Sequence, residues 1–312
     1  MTPKVKVDRT ILSLLPEPDS TPSSQSAISH GDERLHRLHG VSLVYDAVAA
    51  LLTTDDDDKP TTPYTLFPTA AILFHRFYHR VSFTAVDVWS AAMACTVLAA
   101  KLSHQQALPV RDVIAAFQYV LRQRGGGGTA TTTNTTRTID RAWHERLVAT
   151  EGRVLRELGF VLYWIPEDAN PHPYIGPFCE HALQRTKEAS VLVVAMREIA
   201  HKNCDAALHL DFSVRFPATT IACASVWVAI MQGHDDGGQQ QYSIQPHALC
   251  SVLCGPEKRE AVLSIANGIL GVLDANNCDV KDARSGYLSS FCEEGSFNGP
   301  GTPSWGCLVE NK

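Results

Sequence analysis

The 312-residue chain lacks a long apolar run and has no excess of basic residues. No segment approaches the roughly 20 uninterrupted apolar residues of a membrane-spanning helix. The first residues, Met1–Lys6, offer no apolar core for a secretory signal. A net charge of −6 and a pI of about 6.1 argue against a large electrostatic footprint for nucleic acid or for an anionic membrane. We therefore expect no membrane contact and no direct nucleic-acid ligand.

Paired metal-ligand or disulfide motifs are also missing. The nine cysteines are an odd number with scattered spacing, and three of them lie in apolar helical runs, namely Cys95, Cys204 and Cys223. This pattern is typical of free thiols used as small core residues in a reducing compartment. His75 and His79 have the i, i+4 spacing of metal ligands, but no third ligand accompanies them. The sequence predicts no metal site and no cofactor.

Motifs of catalysis are lacking as well. The glycine run Gly125–Gly128 is not followed by the Lys-Ser/Thr pair of a phosphate-binding loop and does not follow a strand. No Ser/His/Asp or Cys/His set stands in a motif context. We therefore expect a protein that is not itself an enzyme.

Helical patterns, by contrast, run through most of the chain, and no segment alternates convincingly between apolar and polar residues. Asp32 and Thr84 are candidate N-caps, and Gly159 is a candidate C-terminal helix-stop residue. The predicted helices of the first half are Asp32–Leu52, one with Pro68 early in it that continues to Tyr78, Ala85–Leu102, Val110–Gln123 and Asp140–Leu158. Those of the second half are Tyr174–Gln184, Ser190–Leu208, Ala218–Gln232, Pro246–Leu253 and Pro256–Leu273.

The two halves resemble each other. Met93-Ala-Cys95 and Ile221-Ala-Cys223 both lie in central apolar helices that are third in their set. Prolines from Pro166 to Pro177 mark a linker between the sets. The sequence predicts an all-α fold of two tandem five-helix units. Its divisions are an irregular lead-in at 1–30, a first unit at 31–163, a second unit at 164–275 and an irregular tail at 276–312.

Two charges stand where the pattern calls for apolar residues. Lys101 ends a helix that is apolar or small on every face, the mark of a buried helix. Glu151 lies inside the apolar stripe formed by Leu147, Val154 and Leu155. Together they suggest a docking site made of a charge pair in an apolar surface. Two simpler interpretations remain open: Lys101 complements a helix C-terminus, or Glu151 pairs with Arg146, Arg153 or Arg156.

Several motifs resemble the cyclin family, and among the transcriptional cyclins they look most like the cyclin L group. The similarity covers about residues 20–275. It rests on Leu73-Phe-His-Arg-Phe-Tyr78, Met93-Ala-Cys95 with Leu98-Ala-Ala-Lys101, Val110-Arg-Asp-Val-Ile114, Arg153-Val-Leu-Arg-Glu-Leu-Gly-Phe160 and Val214-Arg-Phe-Pro217 with Ile221-Ala-Cys-Ala224.

The resemblance implies two tandem cyclin-box repeats and a heterodimer with a cyclin-dependent kinase, of the PITSLRE type or another transcriptional kinase. Lys101, Glu151, Leu102 and Phe160 match kinase-contact positions of the family. The implied role is nuclear: regulation of RNA polymerase II transcription and, more specifically, pre-mRNA splicing. The sequence departs from the family at Ser103-His104-Gln105, where acidic residues are usual, and it has no Arg/Ser-rich tail.

Two other functional classes fit a helical repeat. A general transcription factor of the TFIIB type shares the two-repeat architecture, but it would call for a basic face and an N-terminal zinc ribbon, and no cysteine precedes Cys95. A helical scaffold with no kinase partner is the third class. Such a scaffold should tolerate loss of Lys101 and Glu151.

Overall fold

The computed structural model describes residues 21–52, 63–103, 108–124, 133–183, 189–235 and 252–277. Within these ranges the chain forms α-helices and no β-strand, so the predicted all-α class is confirmed. The helices of the first half are α1 (Pro22–Gln25), α2 (His30–Leu52), α3 (Pro63–Tyr78), α4 (Val88–Leu102), α5 (Val110–Arg124) and α6 (Thr133–Glu157). Those of the second half are α7 (His172–Leu183), α8 (Ala189–Leu208), α9 (Phe212–Arg215), α10 (Ala218–Asp235) and α11 (Arg259–Asn277).

Helix α4 is the centre of the first half. Every residue from Ser90 to Ala100 is buried, because α2, α3, α5 and α6 all pack against this helix. Its run of alanine and other small side chains lets four neighbours approach at once. An all-round apolar helix was predicted to be central, and the packing explains why Lys101 is its first exposed residue.

Helix α10 has the same position in the second half, where it packs against α7, α8 and α11. Cys95 of α4 and Cys223 of α10, the matching residues of the two repeated motifs, are both completely buried. The repeat seen in the sequence therefore reflects two equivalent central helices, and the prediction of two tandem helical repeats is confirmed. Most of the predicted helix Pro246–Leu253 lies outside the described residues, as do the Asp55–Asp58 run, residues 1–20 of the lead-in and residues 278–312 of the tail.

The two halves meet at the end of α3. The imidazole Nε2 of His75, which is fully buried, lies 3.0 Å from the carbonyl oxygen of Leu208. The side chain of Leu208 packs in the core of the first half, as does Ile165, which lies beyond the predicted boundary at residue 163. The segment predicted as a linker is largely ordered, with a π-helical turn at Ile165–Ala169 before α7.

Several helix ends differ from the predictions. Ser29, not Asp32, caps α2: its hydroxyl accepts from the Asp32 amide and donates to the Asp32 carboxylate. Asp87, not Thr84, caps α4, so this helix starts at Val88 and not at Ala85. Helix α6 begins at Thr133, seven residues before the predicted start at Asp140, while residues 125–132 lie outside the described ranges.

Candidate partner-binding surface

Lys101 and Glu151 are brought together by the packing of α6 against α4. Lys101 lies in the last turn of α4, and its ammonium donates a hydrogen bond to Oε1 of Glu151, which lies in the C-terminal third of α6. The Lys101 side chain is 55 % exposed and that of Glu151 is 15 % exposed. The pair is therefore a cation facing solvent above a carboxylate that is largely enclosed by the helices.

Two arginines of α6, Arg146 and Arg153, contact groups other than Glu151. Arg146 contacts the carboxylate of Asp87 at 2.5 Å, and Arg153 donates to the carbonyl of Ala85 at 3.0 Å. Both contacts tie α6 to the segment that leads into α4, which fixes the relative position of the two helices. Neither arginine is the partner of Glu151 in the structure; that partner is Lys101.

Four exposed apolar residues lie before and after Glu151 in the sequence, and we call them the apolar strip. Val148, one turn before Glu151, is exposed, and so are Phe160, Val161 and Tyr163 beyond the helix. Residues at i−3 and i share a helix face, which places Val148 beside Glu151. Exposed apolar side chains near a charge pair are a candidate protein-interaction surface.

The backbone after α6 presents Phe160 to solvent. Gly159 has a φ of +79°, and the amides of Gly159 and Phe160 donate to the carbonyls of Arg156 and Leu155, which is a Schellman ending. The predicted role of Gly159 as a helix stop is confirmed. Phe160 also has a positive φ, of 62°, which is uncommon for a bulky residue. Its ring is 65 % exposed.

The four predicted site residues do not have equivalent environments. Lys101 and Glu151 touch, Phe160 follows nine residues after Glu151, and Leu102 is half-buried against the core of the first half. Three exposed apolar residues escaped the sequence analysis: Val148, Val161 and Tyr163. Val148 could have been found, because it is apolar but falls off the stripe of Leu147, Val154 and Leu158 that faces the core.

Two other kinds of site can be checked on the described residues. No group of three or more His, Cys, Asp or Glu side chains there is arranged to hold a metal ion. None of the helices in these ranges has the length and apolarity needed to cross a membrane.

Comparison with solved structures supports the architecture. A chain of the CAK complex from Chaetomium thermophilum, solved with ATP-gamma-S, superposes with a TM-score of 0.50 over 90 % of this chain and 73 % of that chain, at 14 % identity. At this identity the likeness speaks for the fold alone. Together with the two equivalent central helices, it supports an all-α fold of two tandem helical repeats.

Comparison with curated proteins finds relatives in the cyclin L group. Human Cyclin-L1 is 28 % identical over 222 residues, which are 70 % of this chain and 38 % of that protein. Cyclin-L1-1 of Oryza sativa is 26 % identical, over 67 % of this chain and 43 % of that protein, and the Caenorhabditis elegans Cyclin L homolog cyl-1 is 27 % identical, over 68 % and 42 %. The resemblance to the cyclin family, and to cyclin L within it, is thereby confirmed. No protein-family model matches the chain, and the matched region is about two fifths of these relatives' length.

Proposed function

We propose that this chain is the regulatory subunit of a cyclin-dependent protein kinase and is not an enzyme itself. The observation that carries the proposal is the Lys101–Glu151 pair, set beside the exposed apolar strip of Val148, Phe160, Val161 and Tyr163. A docking surface with these properties was expected from the sequence, and the similarity to cyclin L proteins supports a kinase as the occupant.

The surface acts by binding one conformation of the kinase. A protein kinase is active when the lysine of a strand pairs with the glutamate of its C-helix and the activation loop is ordered. A partner that binds this arrangement more tightly than the inactive one shifts the population toward it. In the complex, Lys101 and Glu151 bond to kinase backbone while Leu102 and Phe160 supply apolar contact. A rigid helical surface suits this role because little order has to be created on binding.

The finer proposal concerns the process that the complex serves. The similarity to cyclin L supports a nuclear heterodimer with a PITSLRE-type or other transcriptional kinase, acting on RNA polymerase II and, through it, on pre-mRNA splicing. Protein tagged and purified from its native cell should carry kinase activity toward a C-terminal repeat peptide of RNA polymerase II. A preparation without kinase activity would contradict the proposal and favour a scaffold. Promoter-DNA binding without a kinase would favour the TFIIB type.

A charge-swap experiment tests the site itself. Lys101→Ala/Glu151→Ala should weaken kinase association by about 2–5 kcal/mol, because kinase groups desolvated at this surface lose their partners. The swapped variant Lys101→Glu/Glu151→Lys can still form the pair within the chain, but it offers each charge to the wrong kinase group. We therefore expect it to fold normally and to bind no better than the double alanine variant.

The matched control is the exposed pair Glu198 and Lys202 on α8, whose charged atoms lie 3.3 Å apart. Glu198→Ala/Lys202→Ala should leave kinase association unchanged. Thermal unfolding of all variants separates lost binding from lost folding. If the swapped variant binds the kinase as wild type does, the pair has only an intramolecular role and the proposed contact is wrong.

A further inference from the structure

Arg76 of α3 carries a buried charge that has no counterion in the part of the chain that the structure describes. The residue is 9 % exposed, and its Nε has no hydrogen-bond partner. Its guanidinium forms no ion pair with a described carboxylate. A buried charge is costly unless it is paired. The environment of Arg76 therefore suits an anion that comes from outside these residues.

The surroundings of Arg76 are aromatic and cationic. The guanidinium carbon lies 4.5 Å from the centre of the Trp164 ring, in a cation–π contact. Arg80, one turn further along the chain, is exposed and donates to the carbonyl of Glu157 at 2.7 Å. Burial, and after it the charge of Arg80, lowers the pKa of Arg76 to about 10. Arg76 is thus still a cation at neutral pH, with a second cation close by.

We propose that Arg76 and Arg80 form a binding site for a phosphate group carried by a protein partner. Guanidinium groups bind phosphate oxygens through two parallel N–H bonds, and two arginines together match the charge of a phosphate monoester. The stacking of Arg76 on Trp164 holds its guanidinium in place before the ligand arrives. This site goes beyond the proposed function, since it binds its ligand without a kinase contact at Lys101 or Glu151.

Two observations favour a phosphorylated protein segment as the source of the phosphate. The indole N–H of Trp164 donates to the carbonyl of Val161 at 2.9 Å, so the site adjoins the exposed side chains of Phe160, Val161 and Tyr163. A peptide could place a phosphate on the arginines and an apolar residue on this strip. The chain's net charge of −6 disfavours the many phosphates of a nucleic acid.

The test uses the full chain without a kinase. The indole N–H resonance of Trp164, identified by its loss in Trp164→Phe, is followed in an NMR titration. The probes are a peptide with a phosphoserine flanked by apolar residues, the same peptide unphosphorylated, the same peptide with glutamate in that position, and inorganic phosphate. Variants are Arg76→Gln, Arg80→Gln and, as the control for general charge attraction, Arg111→Gln on α5, whose side chain is 89 % exposed.

We expect the phosphopeptide to shift the Trp164 resonance, and Arg76→Gln and Arg80→Gln each to weaken its binding about tenfold or more, since each removes charge-assisted hydrogen bonds. The unphosphorylated peptide should bind the wild-type chain at least as weakly as the phosphopeptide binds these two variants. The Arg111→Gln variant should bind the phosphopeptide as wild type does. Arg80→Gln changes an exposed residue, so this variant still tests the site if Arg76→Gln does not fold. No phosphate-dependent shift, equal binding of the glutamate peptide, equal binding by the Arg80 variant, or binding of free phosphate alone would each overturn the proposal.

Discussion

Arg37 shows how much the environment of a single residue can differ from what its sequence position suggests. With Glu33 at i−4, Arg37 has the spacing of an ordinary surface ion pair on a helix. In the structure both side chains are buried, and the guanidinium also donates to the carbonyls of His75 and Tyr78, at 3.2 and 3.1 Å. These hydrogen bonds give donors to carbonyl oxygens at the C-terminal end of α3, so Arg37 joins α2 to α3. The sequence could not reveal this, because the burial of Arg37 depends on a helix whose contacting residue, Tyr78, is 41 residues further along the chain.

Arg37→Ala should therefore be strongly destabilising. It removes the cation that pairs with the buried Glu33 carboxylate and leaves the Tyr78 carbonyl without the donor seen in the structure, and breaking a buried pair costs about 3–5 kcal/mol. Urea unfolding followed by circular dichroism measures the change in the free energy of unfolding. Arg141→Ala, which removes an exposed i, i+4 pair with Glu145 on α6, is the control and should unfold as wild type does. A loss of less than 1 kcal/mol for Arg37→Ala, within the range of an exposed pair, would contradict this description.

Alanine substitutions at two glycines within helices should change the stability of the protein in opposite directions. Gly40 of α2 lies against the ring of Phe74 on α3, and a Cβ there would overlap the ring. Gly40→Ala should cost about 1–3 kcal/mol, because the two helices must separate or Phe74 must leave its rotamer. Gly152 of α6 has nothing within 4 Å of an added Cβ. Gly152→Ala should stabilise the protein by about 0.5–1 kcal/mol through helix propensity.

The same denaturation assay measures both glycine variants, so each is the control for the other. If both alanines stabilise the protein, α2 and α3 do not pack as closely as the structure shows. The contrast also shows why spacing alone is insufficient. Both glycines lie in predicted helices. Only the position of the neighbouring helix shows that Gly40 is needed for a close contact, whereas Gly152 merely lowers the helix propensity of α6.

Helix bodies could be predicted from the sequence, and helix ends less well. The central helix and its terminal Lys101 follow from an apolar run, which needs no tertiary information. The choice between Thr84 and Asp87 as the cap of α4 does need it, because either side chain can accept from an N-terminal amide. Asp87 also contacts Arg146, a residue 59 positions away. Tyr163 was missed for a similar reason, since its exposure is recognisable only once the core is known, whereas Val148 could have been found because it lies off the core-facing stripe.

At the scale of the whole molecule, the junction between the halves should make stability depend on pH. Burial, together with the nearby Arg37, lowers the pKa of His75 to about 3. Nε2 of His79 lies 3.8 Å from Oδ2 of Asp211, and burial lowers the pKa of His79 as well. Burial acts to raise the pKa of Asp211, but its contacts with His79 and Arg215 outweigh that effect and hold this pKa well below the ordinary value. The junction is therefore built from neutral imidazoles and an ionised carboxylate.

Acid should weaken this junction in the range below pH 6.5. An unfolded histidine takes up its proton near pH 6.5, whereas folded His75 does so only near pH 3, so between these values the unfolded state binds more protons. The free energy of unfolding should then fall with a slope from His75 alone that grows as pH drops and approaches about 1.4 kcal/mol per pH unit below about pH 5.5. The lowered pKa values of His39 and His201, both about 4, add to the fall in the same direction. Urea unfolding at several pH values between 7.5 and 5 measures the slope.

His75→Gln separates the junction from the other histidines. A glutamine amide can still donate to the Leu208 carbonyl, but it takes up no proton in the unfolded state. The slope should therefore be smaller in His75→Gln than in wild type, by close to about 1.4 kcal/mol per pH unit at the acid end of this range and by less near pH 7, whatever the variant's stability at pH 7.5. The His75 ring resonances should also stay constant from pH 7.5 to 5 in wild type. A slope unchanged in His75→Gln, or a ring that titrates in that range, would mean that His75 reaches solvent and that the halves are not joined through it.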